Sequence, residues 1–465
     1  MVHSKKHFIS RILVNVLFLV LAPAASGQGF ADTWESLNTR RIPQWFNEAK
    51  FGIFIHWGVY SVPAWAPFDE KIGIYGRYAE WYWWRKMNPS DPAGKLFREH
   101  HDRVYGPDFK YEDFAPLFRA EHFDPMQWAE LFRRAGARYV VLTAKHHDGF
   151  TLWPSAESPD WNSMALGPNR DLVGDLTKAV RDAGLRMGLY YSLYEWFNPL
   201  YRDNLEKYVN QHMIPQMKDL VIRYEPDILW VDGEWDHPSK TWESTRFLKW
   251  LFNESPVKDQ VVVNDRWGSE TRGRITAGFH TTEYGIGRNQ IAGIYHPWEE
   301  CRGIGTSFGY NRMETPEHYT TSEDLIHLLI ETVAYGGNLL LNVGPTADGR
   351  IPAIQQQRLF EIGNWLKING EAIFGTRNWE GSSMNKSLKN TFFTKNEDAL
   401  FVLTTEFPKN QLSIKGLNSA KGVSLLGYSG QVEFTISNDE MVIVPPKVPI
   451  CYNHLEKAWV FKIEL

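Results

Sequence analysis

One nine-residue stretch decides the interpretation of this chain: ILWVDGEWD, at positions 228–236. Its first half is a short, nearly continuous apolar run, which is typical of a buried strand in a parallel sheet. The run ends at Asp232 and continues into an acidic loop that contains Trp235. A carboxylate can attack an oxocarbenium-like centre, and flat aromatic rings pack on the C–H faces of a pyranose. Taken alone, however, Asp232 indicates a helix cap, because Asp is a common N-cap residue.

Eight strand-like runs alternate with helical patterns along the first 345 or so residues of the chain. This alternation predicts a parallel (β/α)8 barrel, or TIM barrel, and a doubly wound open sheet is the rival fold. No G-x-G-x-x-G turn follows an early strand, so dinucleotide binding is not indicated. The predicted strands lie at 51–56, 139–144, 187–192, 228–232, 260–264, 279–283, 306–308 and 338–343.

The two ends of the chain differ from this barrel pattern. Basic residues precede a short apolar stretch at 12–22, and small residues follow as far as Gly27. This order predicts a signal peptide over 1–27 and a secreted or periplasmic protein without a membrane span after cleavage; an uncleaved anchor helix is the alternative. The barrel is then expected over 28–372. Short alternating runs separated by polar turns predict a small C-terminal β-sandwich over 373–465.

Composition excludes some classes of partner. The formal net charge is −5 and no dense Lys/Arg block follows the N-terminus, so a nucleic-acid partner is not expected. Two cysteines, Cys301 and Cys451, are too few for a disulfide framework, and the sequence does not decide whether they pair. The 20 Trp residues cluster near predicted strand ends and in an insertion over about 59–110, which favours a surface that binds flat ligands.

Polar and aromatic residues converge at the predicted strand ends, where TIM barrels build their active sites. Zinc is one interpretation of the cluster formed by His56, His146, His147 and Asp148. Adjacent side chains on a strand point to opposite faces, so His146 and His147 can both ligate only at a bulge or a strand end. Neutral imidazoles that hydrogen-bond sugar hydroxyls explain the cluster more simply, so no metal and no cofactor are expected.

Several motifs together resemble the α-L-fucosidases of glycoside hydrolase family 29, over nearly the whole chain after residue 27. The resemblance is closest to the broad-specificity branch of that family. It implies a fucosylated oligosaccharide or glycoconjugate as substrate, and it leaves a homo-oligomer open. The motifs are KFGIFIHWG (50–58), AKHHDGF (144–150), WVDG (230–233), VVNDRWG (262–268), SFGY (307–310) and GGNLLLNVGP (336–345).

The resemblance also implies roles for individual residues. Asp232 would be the nucleophile of a retaining, exo-acting double displacement, and Glu283 the general acid/base. Glu299 is the rival acid/base, or a residue that supports the site from behind. The residues implied in substrate binding are His56, Glu80, Trp81, His146, His147, Tyr190, Trp230, Arg266, Glu299 and Phe308.

Two further functions stay open from the sequence. One is a non-catalytic carbohydrate-binding barrel, and the other is a retaining hydrolase of another sugar, such as galactose or a sulfated fucose. Retention requires two carboxyl groups roughly 5–5.5 Å apart, whereas inversion leaves about 6.5–9.5 Å for a water molecule. The presence of both Asp232 and Glu283 favours a hydrolase over a binding protein.

Overall fold

A computed structural model describes residues 29–68, 72–285, 296–448 and 457–465. The predicted signal peptide and Cys451 lie outside these ranges. Eight parallel strands form one sheet in the order β5-β4-β3-β2-β1-β8-β7-β6. The strands are β1 (Phe51–Ile55), β2 (Tyr139–Lys145), β3 (Arg186–Ser192), β4 (Ile228–Asp232), β5 (Val262–Val263), β6 (His280–Glu283), β7 (Trp298–Gly303) and β8 (Asn338–Val343).

The sheet closes on itself between β5 and β6. Strand β5 has only two residues, and the closure is a single parallel bridge between Asn264 and Phe279. In it, the N–H of Phe279 donates to the carbonyl of Val263 at 3.0 Å. This closure confirms the predicted barrel and excludes the open, doubly wound sheet.

Helices cover the outside of the barrel and connect its strands. The long helix before β4 contains a π-helical turn, Val209–Met213, between Leu205–Tyr208 and Ile214–Tyr224. Within the described ranges, no helix is long and apolar enough to cross a membrane. The other α-helices among the described residues are Trp34–Leu37, Gln44–Ala49, Tyr82–Met87, Gly94–Val104, Pro125–Arg134, Leu172–Asp182, Pro199–Asp203, Ser244–Asn253, Ser322–Ala334 and Ala353–Asn369.

The seventh strand is not where the sequence pattern placed it. It is Trp298–Gly303, and the predicted run at 306–308 belongs to the loop that follows. The true strand, WEECRG, lacks an apolar run because two of its buried residues are carboxylates, Glu299 and Glu300. Hydrogen bonds inside the fold satisfy both: Tyr139 and Trp230 donate to Glu299, and Thr282 donates to Glu300. Paired polar groups of this kind can be buried without a large free-energy cost.

Aromatic and aliphatic side chains fill the barrel interior, and a short helix closes its amino end. Phe46, in helix Gln44–Ala49, stacks on Phe279 with ring centroids 4.4 Å apart. Asn338 fixes the helix by donating from its side chain to the carbonyl of Phe46 at 2.7 Å. With the amino end closed, the barrel opens only toward the carboxyl ends of its strands.

The C-terminal part contains two antiparallel sheets, which agrees with the predicted small β-domain. They share a core that includes Leu400, Ile414 and Phe461. The boundary at residue 373 stays a prediction. One sheet has the order β13-β16-β11-β10-β9 and the other β12-β15-β14. The strands are β9 (Arg377–Asn378), β10 (Thr391–Lys395), β11 (Ala399–Thr404), β12 (Leu412–Lys415), β13 (Gly422–Leu425), β14 (Glu433–Ser437), β15 (Glu440–Val444) and β16 (Trp459–Glu464).

A methyl group at Gly52 should destabilise the barrel. A Cβ atom there would lie 2.3 Å from the buried ring of Tyr139, so the ring or the strand has to move. We expect Gly52→Ala to lower the free energy of unfolding by about 1–3 kcal/mol, measured by chemical denaturation. Gly73→Ala is the matched control, since no atom lies within 4 Å of its Cβ position and its φ is −54°. Equal stability of the two variants would contradict this packing argument.

Candidate active site

A cavity of about 330 Å³ opens at the carboxyl ends of the barrel strands. This volume lies at the lower end of the range found for small-molecule sites. All but one of the predicted site residues line it, and the exception is Glu299. The predicted residues in the lining are His56, Glu80, Trp81, His146, His147, Tyr190, Trp230, Asp232, Arg266, Glu283 and Phe308.

Asp232 lies at the last position of β4 and carries an ionised carboxylate. Tyr190 donates to its Oδ2 at 2.9 Å, and Arg266 donates to its Oδ1 at 2.7 Å. Burial alone would raise the pKa of the Asp232 carboxyl, but the charge and the hydrogen bond of Arg266 outweigh burial and lower it. The side chain therefore faces the cavity as a charged group. The helix that follows, Ser244–Asn253, has no side-chain cap, so Asp232 does not act as its cap.

Glu283 lies at the last position of β6 and shares a cation with Asp232. Its Oε2 lies 3.3 Å from Nη2 of Arg266, and Tyr78 donates to its Oε1 at 2.9 Å. One guanidinium thus contacts both carboxylates. Arg266 is itself fixed, because its Nε donates to Thr281 at 3.0 Å. The two acids predicted to carry the chemistry therefore meet in one cavity.

Three buried imidazoles line the cavity as neutral groups. Burial lowers the pKa of His56 to about 3 and that of His147 to about 4, and it holds the pKa of His146 well below its ordinary value. His56 contacts Asn342 at 2.7 Å and His147 contacts Ser192 at 2.6 Å, each through Nδ1. Among the described residues, Nδ1 of His146 has no hydrogen-bond partner.

The two adjacent histidines reach the same cavity because β2 ends just before them. The register with β3 shifts between Thr143 and Lys145, and the strand stops at Lys145. In the described ranges, no group of three or more His, Cys, Asp or Glu side chains has an arrangement that could hold a metal ion. Neutral imidazoles in this setting can donate to, and accept from, the hydroxyls of a sugar.

The insertion between β1 and β2 supplies one wall of the cavity. Glu80 is buried and accepts hydrogen bonds from the N–H of Gly309 at 2.8 Å and the hydroxyl of Ser307 at 3.2 Å. Burial raises the pKa of Glu80 to about 7. Trp81 stacks on Trp235 with ring centroids 6.2 Å apart. The aromatic residues of the insertion therefore contribute directly to the site, as their clustering in the sequence suggested.

Glu299, which the sequence predicted to contact the substrate, lies outside the cavity lining. Tyr139 donates to its Oε2 at 2.5 Å, and Trp230 donates to its Oε1 at 3.0 Å. Its carboxyl is fully buried beneath Trp230, and burial raises its pKa to about 7. Both oxygens are occupied by neighbouring side chains. Glu299 therefore supports Trp230 from below and does not line the cavity.

Sequence reasoning missed several residues that line the cavity. Tyr78, which donates to Glu283, lies only two positions before Glu80, but no periodicity in the insertion singles it out. Arg272 lies six positions after Arg266 in the same loop, and nothing in its spacing indicates a site residue. The remaining lining residues outside the prediction are Phe54, Tyr75, Arg85, Trp235 and Cys301.

Comparison with known proteins agrees with this geometry. A family model described as alpha-L-fucosidase matches residues 17–371, and one for the alpha-L-fucosidase C-terminal domain matches 384–464. This chain belongs to the α-L-fucosidase family. The enzyme is 42% identical to tissue alpha-L-fucosidase of Rattus norvegicus, with 96% of both chains covered. It is also 42% identical to the alpha-L-fucosidase of Dictyostelium discoideum, covering 89% of this chain and 92% of that one.

Solved structures give the same assignment. The crystal structure of Thermotoga maritima alpha-fucosidase in complex with fucose has a TM-score of 0.75 to the enzyme at 38% identity, with 93% of this chain and 100% of that one covered. The same protein in complex with a mechanism-based inhibitor has a TM-score of 0.76 at 38% identity, covering 93% and 99%. Membership of this family makes the enzyme a glycoside hydrolase.

Removing the shared cation should move the acidic limb of the activity profile to higher pH. Arg266 lowers the pKa of Asp232, so the carboxylate stays ionised further into the acid range. In Arg266→Gln that pKa rises, and kcat/KM should fall off at a higher pH than in the wild type, measured with an aryl α-L-fucoside.

Arg186→Gln is the matched control for this substitution. Arg186 pairs with Asp227 at 2.7 Å at the opposite end of β3, so its removal should leave the acidic limb in place. An acidic limb that is unchanged in Arg266→Gln would contradict the role given to the cation.

Proposed function

We propose that the enzyme releases terminal α-L-fucosyl residues from glycans with retention of configuration, through a covalent fucosyl-enzyme intermediate. Asp232 is the nucleophile and Glu283 is the general acid/base. The observation that supports this assignment best is the pair of contacts from one guanidinium, that of Arg266, to both carboxylates. Two carboxyl groups in one sugar-sized cavity are what a double displacement requires.

The first half-reaction forms a bond to Asp232. A carboxylate oxygen of Asp232 attacks the anomeric carbon, and the bond from that carbon to the leaving oxygen breaks. Glu283 donates its proton to that oxygen, so the leaving sugar departs neutral. Tyr190 and Arg266 hold the attacking carboxylate in place through their hydrogen bonds to its two oxygens.

The second half-reaction returns both acids to their starting states. Glu283, now ionised, removes a proton from a water molecule, and the water oxygen attacks the anomeric carbon. The bond to Asp232 breaks, fucose leaves, and two inversions give net retention. Tyr78 and Arg266 keep the Glu283 carboxylate oriented for both proton transfers.

The shape of the cavity favours one terminal sugar. Its floor is closed by buried residues that include Phe54, Trp230 and Cys301, and its volume of about 330 Å³ leaves little room for chain to continue inward. Neutral imidazoles offer hydrogen bonds to hydroxyls, and Phe308 offers an apolar surface for the C5 methyl group. The fucose bound by the Thermotoga maritima relative is consistent with this choice of sugar.

We place the enzyme outside the cytoplasm, in a secreted or periplasmic location. This proposal rests on the predicted signal peptide over 1–27.

Loss of the nucleophile should abolish turnover with the structure intact. We expect Asp232→Ala to lower kcat on an aryl α-L-fucoside by at least roughly a thousandfold, a loss typical of removed catalytic nucleophiles. Asp236→Ala is the control, because Asp236 is exposed in the same loop and accepts a hydrogen bond from Tyr201 at 3.1 Å, away from Arg266. NMR of the first product should show α-L-fucose. An active Asp232→Ala variant, or β-L-fucose as the first product, would contradict the proposal.

The dependence of kcat/KM on the leaving group distinguishes Glu283 from Glu299 as the general acid/base. Glu283→Ala should lower kcat/KM by about 10²–10⁴-fold for poor leaving groups and much less for activated aryl groups. Azide should restore turnover and give α-L-fucosyl azide, since it attacks the intermediate without needing a base. Glu299→Gln should affect all substrates alike and should not respond to azide. The reverse pattern would assign the acid/base to Glu299.

A further inference from the structure

The loop that follows β5 brings two arginines to the cavity, Arg266 and Arg272. Arg266 is buried, and Asp232, Glu283 and Thr281 are its partners. Arg272 is only partly buried and, among the described residues, makes no hydrogen bond and no ion pair. The same loop thus carries one neutralised cation and one cation that no acid of the described residues contacts. A cation in this state at the wall of a cavity attracts an anionic ligand.

The backbone on both sides of Arg272 is anchored. Thr271 is buried, and its hydroxyl donates to the carbonyl of Asp265 at 2.7 Å. The N–H of Gly273 donates to the Asp265 carboxylate at 2.8 Å. That carboxylate also accepts from Thr281 at 2.9 Å, which links the loop to β6. Arg272 therefore extends from a fixed position, and a ligand would not have to order the loop.

Arg272 lies on the side of the cavity that carries the acid/base. Tyr75 also lines the cavity and has 47% of its surface exposed. The Tyr75 ring lies 5.6 Å from the ring of Tyr78, which donates to Glu283. The loop that carries Arg272 is tied to β6, the strand of Glu283, through Asp265. An acid/base has to face the glycosidic oxygen, so the leaving sugar must lie on the side of Glu283. Tyr75 and Arg272 therefore border the leaving sugar.

Trp235 and Trp81 form an aromatic part of the cavity lining. Trp235 is 39% exposed and stacks on Trp81, next to His147, whose ring centroid lies 5.6 Å away. A ring of this kind can pack against any sugar face, whatever its charge. Trp235 is therefore a suitable control for an effect that depends on the charge of the substrate.

Building on the proposed function, we propose that Arg272 and Tyr75 form the binding site for the leaving sugar, and that Arg272 selects leaving sugars that carry a sulfate or a carboxylate group. Tyr75 supplies a ring for the sugar and Arg272 supplies the charge. A planar guanidinium donates two parallel hydrogen bonds to either anion. The chemical class of preferred substrate is therefore an α-L-fucoside of an acidic saccharide.

A purely electrostatic role toward Glu234 is the competing explanation for Arg272. Glu234 is buried next to Asp232 in sequence, and Arg272 acts on its charge without lying within ion-pair distance. If this were the only role of Arg272, its removal would change turnover of neutral and anionic substrates by the same factor. The comparison of substrates below separates the two roles.

The test uses three disaccharides that share the fucosyl group: α-L-fucosyl-galactose, its galactose 6-sulfate, and α-L-fucosyl-galacturonate. We expect Arg272→Gln to lower kcat/KM for the two anionic substrates by roughly fivefold, and for the neutral one by less than about twofold. Arg272→Lys should keep most of the preference. About 1 M salt should remove the preference of the wild type, because it screens the charge.

Controls make the outcome specific. Trp235→Ala should change all three substrates by a similar factor, and the melting temperature of Arg272→Gln should match the wild type because no hydrogen bond is lost. An equal loss on all three substrates in Arg272→Gln, or no loss, would overturn the inference. A loss of kcat/KM on only one of the two anionic substrates would support the inference and show whether Arg272 selects the sulfate or the carboxylate. A wild type inactive on these substrates and on aryl fucosides would refute the proposed function instead.

Discussion

The active site depends on a buried guanidinium that holds two carboxylates at once. A buried cation is costly unless it is paired and hydrogen-bonded, and Arg266 meets this condition through Asp232, Glu283 and Thr281. The pairing also offsets the cost of burying Asp232 as a charged group, because Arg266 lowers the pKa of its carboxyl. The arrangement lets one acid stay ionised inside an apolar barrel, which is what a nucleophile of this kind needs.

Trp230 connects this charged cluster to the barrel floor. Its indole lies 4.6 Å from the guanidinium of Arg266 on one side, and its Nε1 donates to Glu299 on the other. It also stacks on Tyr190, which donates to Asp232. The Asp232 carboxylate, which we propose as the nucleophile, is thus positioned by aromatic packing as well as by charge. A strand that ends in Trp-Val-Asp places the indole and the carboxylate on the same face, since side chains alternate along a strand.

Much of the fold could be predicted because the sequence pattern that specifies each strand lies within a short stretch of the chain. The apolar runs that became β1, β4 and β8 are readable as strands, and the residues just after such runs gather at one end of a barrel. Strand β7 was missed because its buried carboxylates are satisfied by Tyr139, Trp230 and Thr282, partners distant in sequence. The same reason explains why Glu299 was predicted to contact the substrate. Its sequence motif indicated the site, but its hydrogen bonds to Tyr139 and Trp230 hold it beneath the cavity. Tyr75, Tyr78 and Arg272 lie in irregular segments, where no periodicity indicates which side chains face inward.

The barrel closure has a consequence for how the enzyme holds its shape. Most neighbouring strands of the barrel are paired over four to six residues, but β5 and β6 are joined through one bridge, Asn264 to Phe279. Arg266 follows β5 and Glu283 ends β6, so these two residues lie on either side of this junction. Besides the bridge, side-chain hydrogen bonds join the two strands: Arg266 and Asp265 each bond to Thr281, and Arg266 bonds to Glu283. Residues of the proposed active site therefore complete the barrel wall, so the same bonds position Arg266 against Glu283 and hold the barrel closed.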